Sequence, residues 1–102
     1  MSAEEKYNQI AEQLKVTENA SKGSMFGAKC IKINRKVFAM FFKDEMVFKL
    51  PPERQQQVLA LEGVHHFEPM PGRPMKDWIS VPHQGQWEEL ALEALNFIKV
   101  NA

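Results

Sequence analysis

The chain has 102 residues, of which 44% are hydrophobic and 25% are charged. This length suits one domain, so we expect residues 1–102 to share a single core. The composition excludes a disordered chain, a coiled coil and a collagen-like repeat. The longest strongly apolar run, Val37–Phe42, is far shorter than the roughly 20 residues that a membrane span needs. One cysteine and a charged amino-terminal segment predict a cytoplasmic protein without an intramolecular disulfide.

Basic and acidic residues balance at 13 each, but they are unevenly distributed. Residues 1–50 carry nine Lys/Arg and six Asp/Glu, whereas residues 51–102 carry four and seven. The stretch from Lys22 to Lys43 contains six basic residues and no carboxylate. A neutral chain does not favour strong non-specific DNA binding, which depends on neutralising phosphates. We therefore interpret these cations chiefly as a solvated face and keep a local basic surface as the alternative.

The amino-terminal region predicts one helix and then a loop. Apolar side chains recur at helical spacing through residues 3–15, and Ser2 is a suitable N-cap for this helix. Acidic residues in the first turn favour the positive end of the helix dipole. The periodicity fades between Val16 and Gly27, where Asn, Ser and Gly predict a loop.

The next segment predicts three antiparallel strands. Alternating polarity begins at Ala28, and short turns separate the strands Ala28–Ile33, Lys36–Lys43 and Met46–Leu50. Connections of two or three residues exclude parallel crossovers, so the strands form a meander. The middle strand is apolar on both faces, although antiparallel sheets usually keep one polar face. We therefore expect either helices on both faces or a second subunit on one, and self-association as a homodimer becomes a hypothesis.

The remaining elements complete a two-layer α+β domain. Pro51-Pro52 stop the third strand and start a helix, and the three prolines of residues 69–74 exclude helix and central strand there. The predicted fold is an antiparallel sheet of four to five strands with helices packed on it, in the order α-β-β-β-α-(β)-β-α. The elements after the meander are expected at Glu53–Glu62, His65–Phe67, Trp78–Val81 and Gln84–Val100.

No catalytic, metal or cofactor motif stands out. His65 and His66 are adjacent, so in an extended segment their side chains point to opposite faces and do not grip one metal ion. Cys30 lies in a predicted strand, where a free cysteine is usually a buried core residue. We therefore predict no bound metal, no cofactor and no enzymatic activity.

Three cations are candidate ligand-binding residues. Lys49 lies in an apolar strand, where a partly covered ammonium group needs acceptors or an anion. Arg73 and Lys76 lie in a proline-stiffened loop and would bind a carboxylate or phosphate if they converge with Lys49. The alternative is structural, with Arg73 capping carbonyls or pairing with Asp77 or Glu68 to order the loop.

Short motifs in a fixed order resemble the TfoX N-terminal-domain family over about residues 20–98. The sharpest motif is the string from Gly72 to Trp78, Gly-Arg-Pro-Met-Lys-Asp-Trp. The resemblance implies an α+β domain related to the N-terminal part of a bacterial competence regulator, and it brings no catalytic residue. Longer members of that family carry a second, C-terminal helical domain, and we expect this chain to be a stand-alone single-domain member. The matching positions to which we assign a structural role, inside and outside this string, are Phe26, Gly27, Phe38, Pro74, Met75 and Trp78.

Two functional hypotheses follow, and a third is weaker. The first is a non-enzymatic regulatory module of the bacterial cytoplasm that acts by contact with a protein partner or with itself. The second is a binding module for an anion or nucleic acid that uses Lys49, Arg73 and Lys76, with no role at a membrane. The third is an unrecognised enzyme that uses Cys30.

Overall fold

A computed structural model describes residues 2–25, 27–70 and 72–100. The described residues contain three α-helices, one turn of 3₁₀ helix at Gln84–Gln86 and six strands. The helices are α1 (Ala3–Glu18), α2 (Pro52–Leu59) and α3 (Trp87–Val100). The strands are β1 (Ser21–Met25), β2 (Ala28–Ile33), β3 (Lys36–Phe42), β4 (Glu45–Lys49), β5 (His65–Met70) and β6 (Arg73–Val81).

Helix α1 begins at a capping box. The Ser2 hydroxyl accepts a hydrogen bond from the Glu5 N–H at 3.2 Å, and the Glu5 carboxylate accepts one from the Ser2 N–H at the same distance. Asn19 caps the helix in the left-handed conformation, so α1 ends at Glu18, three residues beyond the predicted end at residue 15. The predicted N-cap is therefore confirmed. The predicted helix stops short because residues 16–18 carry no apolar periodicity, and Val16 and Thr17 are exposed.

The six strands form one antiparallel sheet in the order β1-β2-β3-β4-β6-β5. The predicted α+β class and the meander of β2, β3 and β4 are confirmed. The predicted loop before Gly27 is wrong, since Ser21–Met25 forms edge strand β1. This strand is stabilised by backbone pairing with β2 rather than by burial, so hydrophobic alternation does not reveal it.

Tight turns connect the strands of the meander. Asn34 and Arg35 both have positive φ, of 52° and 67°, as do Lys43 and Asp44, with 50° and 65°. Two consecutive left-handed residues define the type I′ turn, whose twist matches that of a two-residue hairpin. The short connections are therefore tight hairpins, as expected from the sequence.

All three helices contribute side chains to the core on one face of the sheet. Tyr7 of α1 stacks on Phe41 of β3, and Phe41 also contacts Trp87 of α3 edge-to-face. The Trp87 indole donates a hydrogen bond to the Val81 carbonyl at 2.9 Å, which fixes the start of α3 on the sheet. Helix α2 adds Val58 to the same core. Layering of helices on a sheet is therefore confirmed.

The opposite face of the sheet, which we call the outer face, is buried by side chains of the sheet's own strands. Its cluster is buried within the single chain and consists of Cys30, Met40, Val47, Phe67 and Trp78. Phe67 of edge strand β5 meets Phe42 of β3 edge-to-face, with ring centroids 5.2 Å apart. The two explanations that we offered for the doubly apolar middle strand, helices on both faces or a second subunit, are therefore unnecessary. Side chains from β5, β6 and the meander bury the outer face instead, and the homodimer loses the observation that motivated it.

Strands β5 and β6 form a hairpin that runs past the end of β4. Trp78 pairs with Lys49, the last residue of β4, so the segment from Arg73 to Asp77 extends beyond it. Both strands are longer than predicted. In the extension β6 pairs with β5 and not with β4, so the missing N–H of Pro74 costs no hydrogen bond to a second strand. Helix α2 ends at Leu59 instead of Glu62, and Leu61, which lies beyond the helix, is exposed.

Among the described residues, no helix is both long and apolar enough to cross a membrane.

Candidate functional site

Six cations lie at one end of the sheet, where β2 and β4 finish and β3 and β6 begin. The antiparallel register brings this about, because it places the β2–β3 turn and the β5–β6 hairpin at the same end. We call this surface the basic end, and it consists of Lys32, Arg35, Lys36, Lys49, Arg73 and Lys76. The three candidate residues from the sequence are therefore joined by three that come from the β2–β3 hairpin.

Lys49 is half-buried on the outer face at the finish of β4. Its Nζ lies 5.8 Å from the centre of the Trp78 ring, the side chain opposite it in β6. A cation over an indole face is attracted by the ring quadrupole. The ring thus partly stabilises the ammonium group of Lys49 in its apolar strand. Among the described residues the Nζ has no hydrogen-bond acceptor.

Arg73 and Lys76 are exposed and have no ion-pair partner among the described residues. The pairing of Arg73 with Glu68 or Asp77 that we considered is absent. Glu68 instead accepts a hydrogen bond from the backbone N–H of Gly72 at 3.3 Å. The predicted loop around Arg73 and Lys76 is therefore wrong, because both residues belong to β6. Strand pairing and this backbone contact order the segment, and the guanidinium remains exposed.

The three candidate residues do not converge on a pocket. Arg73 and Lys76 are three residues apart in β6, which is at most about 10 Å along an extended chain, and the pairing of β6 with β5 is irregular around Lys76. Two cavities, of about 200 and 380 Å³, are lined by residues of α1, α3 and Pro51, and neither includes a residue of the basic end. The arrangement suits an extended anion better than a small one.

Ion pairs involve the other basic residues. Eight of the 13 Lys and Arg residues have no ion-pair partner in the part of the chain that the structure describes, and six of these eight form the basic end. The paired cations all contact carboxylates of α1 or α3 and are Lys6, Lys22, Lys29, Arg54 and Lys99. The helices thus use their acidic residues locally and leave the basic end uncompensated.

Lys32 belongs to the outer face beside Cys30. Its stem crosses Gly23 of β1, where a Cβ atom would lie 2.6 Å from the Lys32 Cε. Glycine at this position therefore gives the lysine side chain room to lie along the sheet. Lys32 is half-buried, and its long apolar stem covers the edge of the outer face beside β1.

Cys30 is buried, with no exposed surface. Burial raises the pKa of its thiol, and the positive charge of Lys32 opposes this only in part. A nucleophilic thiol needs a lowered pKa and access to substrate. The geometry therefore matches the core role expected for this cysteine.

Histidine contacts are local and structural. The structure holds no group of three or more metal-ligating side chains among its described residues. His65 Nε2 lies 3.0 Å from a Glu45 carboxylate oxygen that also accepts a 2.6 Å hydrogen bond from the Ser80 hydroxyl. This network links β4, β6 and β5 in turn. A nucleophilic serine donates to a basic imidazole, whereas Ser80 donates to a carboxylate, so the arrangement is a cross-strand tie.

The motif positions take mostly structural places. Phe38 is buried in the helix-covered core, and Met75 is half-buried against the outer-face cluster. Trp78 is 7% exposed beneath Lys49, and Pro74 is exposed in the hairpin. Gly27 adopts a positive φ of 75° in the turn between β1 and β2. Phe26 lies outside the described residues.

Sequence reasoning found half of the basic end. It selected Lys49, Arg73 and Lys76 individually and treated the cations between Lys22 and Lys43 as one stretch. The structure divides that stretch, because Lys22 and Lys29 pair with carboxylates of α1 and Lys43 lies over Phe42 at the opposite end of the sheet. The signal that separates them is the position of each cation relative to the tight turns.

The fold and the surface together define a small α+β domain with one helix-covered antiparallel sheet and a cationic sheet end. A comparison with known families identifies the domain further: residues 12–96 match the TfoX N-terminal domain. The chain belongs to this family, as the ordered motifs indicated. Searches of curated proteins and of solved structures found no match.

Proposed function

We propose that the chain is a non-enzymatic regulatory or protein-interaction module, linked to transcription or competence regulation, that acts by contact with a partner or a second copy. Membership of the TfoX N-terminal domain family supports a regulatory role in general. The observation that carries the non-enzymatic part is the state of the reactive side chains. Cys30 is sealed in the outer-face cluster, and Ser80 and His65 tie strands together through Glu45.

Self-association is tested by light scattering after size-exclusion chromatography over a hundredfold range of protein concentration. A mass that rises from monomer to dimer supports contact with a second copy. A constant monomer, together with failure of the immobilised domain to retain any protein in a saturable manner, removes this version of the proposal. Modification of the native protein by iodoacetamide at the same rate as a free thiol would contradict its non-enzymatic part.

A second candidate is a binding module for an anionic ligand that uses Lys49, Arg73 and Lys76. The unpaired state of these three cations favours it, since exposed charges without internal partners remain available to a ligand. Their spacing along β6 and β4 favours an extended anion over a single phosphate. In this role the domain contributes a surface and no cleft.

Thermal melting and a binding titration separate the two kinds of anion. Inorganic phosphate stabilises the folded chain if a small-anion site exists, whereas an extended anion binds with an affinity that falls steeply with salt. Arg73→Ala is expected to weaken either interaction, and Lys15→Ala is the matched control because Lys15 is exposed and unpaired on α1. Equal binding by both variants would contradict the site.

A further inference from the structure

We propose that the basic end binds the phosphate backbone of duplex DNA across two hairpins, the β2–β3 turn and the extended β5–β6 hairpin. The inference rests on the second candidate function and deepens it in two ways. It adds Arg35 and Lys36 to the contact surface, and it names the partner. The contact is with phosphates and carries no base-specific readout.

The first support is the local charge balance. Six cations lie at this end, and the acidic residues near them in the chain are Glu53 at the start of α2, and Glu68 and Asp77 in the hairpin. Glu68 is engaged with the Gly72 N–H. The basic end therefore has a positive excess although the whole chain is neutral. Local fields of this kind steer polyanions to one face of a protein.

The second support is the span of the surface. The centre of the first hairpin lies between β2 and β3, and the centre of the second lies between β6 and β5. In the strand order these two centres are three inter-strand steps apart. At about 4.8 Å per step they lie about 14 Å apart. The major groove of B-DNA is about 12 Å wide. The hairpins are thus spaced to contact the phosphates on both sides of one groove, with Lys49 between them.

The third support is the nature of the surrounding side chains, which distinguishes the partner. Single-stranded nucleic acid is held by bases that stack on exposed aromatic rings, but every described aromatic side chain is buried or half-buried, Trp78 included. Protein interfaces have an apolar centre with a polar rim. Here the large apolar side chain that is exposed is Met70, at the tip of the hairpin rather than at its centre. Duplex phosphates require neither feature.

The fourth support is the backbone at Arg35. This residue has a φ of 67°, in the left-handed region where a type I′ turn favours glycine. A side chain in this conformation strains the backbone. Arg35 nevertheless occupies this position at the outermost point of the β2–β3 hairpin, where its guanidinium can contact a phosphate.

This conformation also supplies a test that unfolding cannot imitate. Arg35→Gly removes the cation and relieves the strain, so it should melt at the same temperature as the wild type or a higher one while it binds DNA more weakly. Lys43→Gly is the matched control, because Lys43 has a φ of 50° in the equivalent turn at the opposite end of the sheet. It removes one cation in the same way and should leave binding unchanged within a factor of two.

The experiment is a fluorescence-anisotropy titration of the full chain with a labelled 20-base-pair duplex at 50 mM salt. We expect Arg35→Gly to weaken binding about tenfold, the size of one lost phosphate contact at this salt concentration. Single-stranded DNA and an acidic peptide of equal charge are competitors, and both should displace the duplex poorly.

The outcomes separate this inference from the function on which it rests. Binding that is weakened by Arg73→Ala but not by Arg35→Gly overturns the two-hairpin surface and leaves the second candidate standing. Tighter binding of single strands or of the acidic peptide overturns the choice of partner. Failure of the wild type to bind any of the three overturns the inference and the extended-anion version of the second candidate, whereas the phosphate titration decides its small-anion version separately. Equal weakening by Lys43→Gly shows a diffuse charge effect and also contradicts the inference.

Discussion

The self-covered outer face predicts a large loss of stability for Phe67→Ala. Phe67 is 1% exposed, belongs to the outer-face cluster and contacts the Phe42 ring at 5.2 Å. Truncation of a buried phenylalanine costs about 3–5 kcal/mol, and the edge-to-face ring contact is included in that sum. We therefore expect about 4 kcal/mol.

Urea denaturation measured by tryptophan fluorescence gives the free energy of unfolding of this variant. The midpoint should fall strongly while the dependence on urea is unchanged. Met70→Ala in the same strand is the control, since this side chain is 55% exposed and its loss should change stability by about 0.5 kcal/mol or less. A cost below about 1 kcal/mol for Phe67→Ala would refute the reasoning, because it would mean that β5 does not seal the outer face.

Three further predictions concern single interactions. Glu45→Ala should destabilise the fold by about 1–3 kcal/mol in urea denaturation, because the 3% exposed Ser80 loses its acceptor; a neutral effect would contradict the cross-strand tie. Cys30 should react with iodoacetamide only when the protein opens, since the side chain has no exposed surface and burial also raises the pKa of its thiol; fast labelling of native protein would show an open outer face. Ser2→Ala should cost about 1 kcal/mol through loss of the capping box, and an unchanged melting temperature would argue against that cap.

The meander was predictable because local patterns determine it. Period-two alternation and two-residue turns restrict β2, β3 and β4 to antiparallel neighbours. Strand β1 was not predictable in the same way. Its sequence, Ser-Lys-Gly-Ser-Met, has no apolar alternation, and it is a strand because β2 offers it a backbone edge. Tertiary pairing here overrides a composition that is typical of loops.

The cover of the outer face depends on contacts between distant segments. Phe67 and Trp78 lie 25 and 36 residues beyond Phe42, the last residue of the middle strand that they help to bury, and no local pattern places them there. Sequence reasoning correctly detected that β3 needs cover on both faces and then assigned that cover to helices or a second subunit. The hairpin formed by β5 and β6 extends past β4 and supplies part of the cover from the same sheet.

The candidate site shows the same division between local and distant information. The charge of Lys49, Arg73 and Lys76 is visible in the sequence, but whether each is paired depends on where α1 and α3 lie. Lys22 and Lys29 resemble Lys32 in the sequence, yet only the first two meet carboxylates of α1. The end of the sheet at which a cation emerges follows from strand register, which is a property of the fold.

The most direct test of the functional account is the slope of the logarithm of the association constant for duplex DNA against the logarithm of salt concentration. Each neutralised phosphate contributes about −0.9 to this slope, so contact by four to six cations of the basic end predicts a value of about −4 to −5. A slope near zero, or no measurable binding at 50 mM salt, would contradict the account.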